Sequence, residues 1–71
     1  MSVTLTVVLR GGTTLALRFV GDDCEKSASF VERRLRRGDG WVFYQQPDDQ
    51  LVMIKSPAVD ALLYSPVEGA A

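Results

Sequence analysis

At the start of the chain Val3, Leu5, Val7 and Leu9 occupy every second position, with Thr4 and Thr6 between them. A period of two marks a strand with one buried face. Leu15, Leu17 and Phe19 repeat the pattern after two glycines, so the two segments predict a hairpin. A two-residue Gly11-Gly12 turn would set Leu9 against Thr14 and Leu5 against Arg18, and such a mixed face is penalised wherever one side of a sheet is buried. A three-residue loop of Arg10, Gly11 and Gly12, with Gly12 left-handed, pairs Val7 with Leu15, Leu5 with Leu17 and Val3 with Phe19. Those six residues then share the buried face, and Thr4, Thr6, Val8, Thr14, Ala16 and Arg18 share the other.

After Gly21 the period changes. Cys24, Ala28, Val31 and Leu35 fall within about 60° of one another on a helical wheel, which predicts a helix with a narrow apolar stripe. Asp22 is placed to cap its first amides, with Glu25 three residues on in the capping-box position, and Gly38 offers a left-handed stop. The acids at its start and Arg33, Arg34, Arg36 and Arg37 at its end suit the helix dipole.

Residues 41–46 are aromatic and β-branched, Pro47-Asp48-Asp49 reads as a turn, and residues 50–56 alternate again. This second hairpin sets Val42 against Ile54 and Tyr44 against Val52 on one face, with Trp41, Phe43, Leu51 and Met53 on the other. Both faces are apolar. Ser56-Pro57 breaks the strand, residues 61–65 read as a short fifth strand stopped by Pro66, and residues 67–71 read as a flexible tail. The predicted architecture is one α+β domain over residues 1–66, in the order β-β-α-β-β-β: a mostly antiparallel sheet of hairpins with one helix packed on one face. A single helix covers only one sheet face. Either Trp41, Phe43, Leu51 and Met53 or Val42, Tyr44, Val52 and Ile54 are therefore left over, and the first set is assigned to self-association.

Length sharpens that expectation. A chain of 71 residues buries only about 60% of the surface it exposes when unfolded, so help from a disulfide, a metal or another chain is expected. Cys24 is the only cysteine and there is no histidine, which leaves no intramolecular disulfide and no zinc site. A homo-oligomer, most simply a homodimer, is what remains. The alternating pattern begins without a basic, apolar leader, and no apolar run approaches the ~20 residues of a membrane span, so a cytoplasmic protein without a membrane partner is expected. The net charge of −1 gives the molecule no overall field toward nucleic acid or anionic lipid. Six arginines against two lysines and no asparagine form a bias of the kind GC-rich genomes impose, such as those of actinobacteria and their phages.

Few residues suggest chemistry. Cys24 lies in the first turn of the helix, where amide dipoles favour a thiolate, but it belongs to the apolar stripe and no histidine exists to serve it. Asp22, Asp23 and Glu25 are explained by the helix start, Asp48 and Asp49 by the turn, and none has the spacing of a divalent-metal loop. The glycines after Arg10 join two antiparallel strands rather than leading a strand into a helix, unlike a phosphate loop. No metal site, catalytic residue or small-molecule cofactor is expected. The exception to a purely structural account is the outer face of the helix, where Lys26, Phe30, Arg33 and Arg37 form one line with Arg34 beside it. Cations around an aromatic suit an acidic protein partner, or a phosphate backbone with a stacked base. The reading is a small non-enzymatic protein-protein interaction module. Its alternatives are a nucleic-acid binder using the same face and an enzyme with a site assembled between subunits.

Overall fold

The computed structural model describes residues 2–67. Its elements run β1 (Ser2–Leu9), β2 (Thr14–Val20), α1 (Cys24–Arg37), β3 (Trp41–Gln45), β4 (Leu51–Lys55), a 3-10 turn (Ser56–Ala58) and β5 (Val59–Val67). This is the α+β order read from the periodicity.

The first hairpin has the three-residue loop that its hydrophobic pattern demands. Val7 faces Leu15, Leu5 faces Leu17 and Val3 faces Phe19. The Leu9 N–H donates to Thr13 O at 2.7 Å and the Gly12 N–H to Leu9 O at 3.0 Å. Gly12 has φ of 95°, a region where a Cβ would be strained. The second hairpin also has its expected register, with Val42 opposite Ile54 and Tyr44 opposite Val52. Its turn closes through Asp49, at φ of 70°, a left-handed position that aspartate tolerates better than most residues.

In α1 the stripe of Cys24, Ala28, Val31 and Leu35 is buried, and Gly38 ends the helix in the left-handed conformation. Its first turn differs from the expected capping box of Asp22 with Glu25. The N-cap residue is Asp23, at φ −100° and ψ 17°, and no side chain bonds to the first amides. That backbone is not the extended conformation that aims a cap side chain at the second and third amides. Backbone carbonyls serve instead, with Cys24 N–H on Gly21 O at 3.2 Å and Ser27 N–H on Asp23 O at 2.9 Å.

The strands, expected in one sheet, divide into two: β2-β1-β5 and β3-β4, both antiparallel. The outer edge of β2 shows why. The Gln46 side-chain amide accepts from Arg18 N–H at 3.0 Å and donates to Ala16 O at 2.8 Å, while the Tyr44 hydroxyl donates to Arg18 O. Among the described residues, side chains of the second hairpin rather than a strand take up the outward backbone groups of Ala16 and Arg18. The fifth strand is longer than the expected 61–65 and runs through Pro66, which lies opposite Val3. As an edge strand it tolerates proline, because the missing N–H faces away from β1. Val67, expected in the tail, belongs to β5 by its backbone; residues 68–71 of that tail lie outside the described residues.

One core joins both sheets to the helix. Val3, Leu5, Val7, Leu17 and Phe19 meet the buried stripe of α1, and Val42 and Ile54 close it from the second hairpin. Each large side chain so buried contributes about 1.5–3 kcal/mol. The Phe19 and Tyr44 rings pack with centroids 4.4 Å apart at 35°, binding the second hairpin to β2 a second time.

Candidate functional site

The period-2 pattern of the second hairpin commits one face to the core and leaves the other to solvent. Val42 and Ile54 are buried, whereas Trp41, Phe43, Leu51 and Met53 are each more than half exposed, from 55% to 63%. The helix therefore covers the Val42, Tyr44, Val52, Ile54 side. Phe43 stands directly across from Met53, and Trp41 across from Lys55.

On α1, Phe30 is 59% exposed, pointing away from the buried stripe. The Arg34 guanidinium carbon lies 5.9 Å from its ring centroid, within the range of a cation–π contact. Phe30, Arg33, Arg34 and Arg37 together line one depression. Arg36 pairs with Glu32 at 3.4 Å and Arg37 with Asp39 at 3.9 Å. Among the described residues Lys26, Arg33 and Arg34 have no carboxylate partner.

Tertiary structure then joins the two surfaces. Phe30, Val31 and Arg34 of α1 line a single hollow with Trp41, Val42 and Phe43 of β3. Next to it an open groove of about 930 Å³ runs between α1 and β3, lined by Lys26, Ser27, Phe30, Arg33, Phe43 and Tyr44, with Asp23 and Glu25 at the helix-start end. The helix face Lys26, Phe30, Arg33, Arg34, Arg37 and the hairpin face Trp41, Phe43, Leu51, Met53 thus form one surface with its cations on one flank. Sequence reasoning treated them as two, because the packing of α1 against β3 has no local signal. Lys55 was missed too, although its parity with Leu51 and Met53 places it on the same face.

The residues considered for chemistry are placed otherwise. Cys24 is 1% exposed, inside the core. Among the described residues no three acidic, cysteine or histidine side chains gather as a metal requires. Arg10 ties the first turn to the 3-10 turn, its guanidinium donating to Pro57 O at 3.3 Å and its N–H to Ala58 O at 2.8 Å. Burial of Tyr44 beside Phe19 raises its phenol above the ordinary range, consistent with a hydroxyl that stays protonated to donate to Arg18 O. No helix of the described residues is long and apolar enough to cross a membrane. The chain matches no family model, no curated protein and no solved structure, so its function has to be argued from this surface.

Proposed function

We propose that the protein is a small non-enzymatic interaction module, homo-oligomeric, that binds another protein through the joined surface of α1 and the second hairpin. One observation carries this reading. Phe30, Trp41, Phe43, Leu51 and Met53 are each at least 55% exposed on a continuous face, whereas a monomeric domain rarely leaves an apolar patch of this kind open. Aromatic anchors ringed by arginine are the composition of interface hot spots. The unpaired Lys26, Arg33 and Arg34 select an acidic partner.

Trp41 is the only tryptophan and lies in this surface, so the protein reports on itself. Chromatography with in-line light scattering should give a mass above the monomer, and an acidic protein partner should shield Trp41 from acrylamide. A monomeric mass would remove the oligomeric part of the proposal.

Three exposed aromatics beside unpaired cations also fit single-stranded nucleic acid, by base stacking on Phe30, Trp41 and Phe43. That second reading predicts salt-dependent quenching of Trp41 by an oligonucleotide, weakened in Arg33→Ala. Unchanged fluorescence at low salt would dismiss it.

A further inference from the structure

We propose that the second copy joins edge to edge through β4, antiparallel, about a two-fold axis at Met53, so that two hairpins merge into one four-stranded sheet. The proposal rests on the homo-oligomeric reading above and names its seam.

Ladder parity identifies the seam. Ser56 N–H donates to Gly40 O at 2.9 Å and Gln46 N–H to Gln50 O at 2.8 Å. Bonded pairs alternate along an antiparallel ladder. Gln50, Val52, Ile54 and Ser56 therefore bond toward β3, and the backbone groups of Leu51, Met53 and Lys55 point away from it. Among the described residues no strand lies beyond β4.

The other edges are less open. Gln46 and Tyr44 occupy the edge of β2, and α1 packs against β3. The outer edge of β5 carries Pro66, a residue that cannot donate to an added strand. β4 has no proline, glycine or acidic residue, and its Leu51 and Met53 are exposed. Soluble proteins seldom leave such an edge bare.

Self-complementarity selects a second copy as the occupant. Centred on Met53, the pairing sets Met53 against Met53 of the second copy and Leu51 against its Lys55, and the reverse. All three outward residues are then paired, whereas a shift of two leaves one of them outside the strand. The apolar outer faces stay on one side. Lys55, the only charge on β4, comes beside the second copy's turn with Asp48 and Asp49, the diagonal neighbourhood within a lysine's reach. Two-fold symmetry makes that contact twice.

The test combines sedimentation equilibrium with cross-linking on the full chain at ~100 µM. Wild type is expected to be a dimer. Met53→Pro removes an N–H that the hairpin itself does not use, so it should keep the native circular dichroism and become monomeric. Lys55→Glu should raise the dimer dissociation constant about tenfold at low salt and less at high salt. Met53→Cys should form an oxidised disulfide dimer, whereas Trp41→Cys, on the far strand, should not; the native Cys24 is buried. A monomeric wild type overturns both the seam and the oligomeric reading. A dimer that persists in Met53→Pro, with no cross-link in Met53→Cys, overturns the seam alone. Should Met53→Pro fail to fold, the two cysteine variants decide.

Discussion

Ser56 and Tyr44 both help to hold the second hairpin in place, and each makes a different prediction. Ser56, 2% exposed, accepts from Gly40 N–H at 3.1 Å, and both its own N–H and its hydroxyl donate to Gly40 O. Ser56→Ala leaves the Gly40 amide without that partner, which should cost about 1–3 kcal/mol. In a domain this size that lowers the melting midpoint by at least ~4 °C, measurable by circular dichroism. Tyr44 is governed by burial, which raises its phenol. A pKa raised on folding means that its contribution to stability is complete below the unfolded value, about 10, and is lost as pH climbs through the higher folded value. Urea midpoints should fall above pH ~10 and fall less steeply in Tyr44→Phe. Equal slopes in the two proteins would show that Tyr44 is not the titrating group.

Among the elements, the outer edge of β2 decides how the chain divides. A strand there would have produced the single sheet implied by the hairpin count; a glutamine side chain took the position. Gln46→Leu removes the acceptor for Arg18 N–H and the donor to Ala16 O. The Arg18 amide should then exchange with solvent at least ~tenfold faster, while the Leu17 amide, which bonds to β1, keeps its protection. Equal acceleration at both positions would mean that Gln46 supports the whole sheet rather than its edge. The registers of both hairpins were legible beforehand: in the first, only the three-residue loop keeps Val3, Leu5, Val7, Leu15, Leu17 and Phe19 on one side, and in the second, apolar on both faces, the Pro47-Asp48-Asp49 turn sets the pairing. The cap of α1 was not legible: Asp22, Asp23 and Glu25 are all suitable residue types, and the backbone angles at Asp23 decide between side-chain and main-chain satisfaction.

The whole molecule is divided into residues that hold the fold and residues that leave it open. Phe30 is large, apolar and 59% exposed, so Phe30→Ser should change unfolding free energy by no more than ~0.5 kcal/mol. Urea denaturation checks this. A loss above ~2 kcal/mol would place Phe30 among the structural residues, because losses of that size come from buried sites. The same substitution should weaken partner binding, since it removes the aromatic around which Arg33, Arg34 and the β3 aromatics are arranged. Stability and binding are thus expected to separate at Phe30 and to coincide at Leu17 or Phe19, whose rings and branches are fully enclosed.

By itself the sequence determined the elements, their order, the pairing within each hairpin and the buried stripe of the helix, because each depends on residues close in the chain whose spacing matches a backbone period. It also showed that the second hairpin is apolar on both sides, but not which side faces the core. Tertiary structure made that choice: it packed Val42 and Ile54 against the helix and turned Trp41, Phe43, Leu51 and Met53 outward. It also ended one sheet at a side-chain amide, carried β5 through Pro66 along an edge where its missing N–H is harmless, and brought Phe30 beside Trp41. These outcomes depend on which distant surfaces exclude water together, and no local period encodes that.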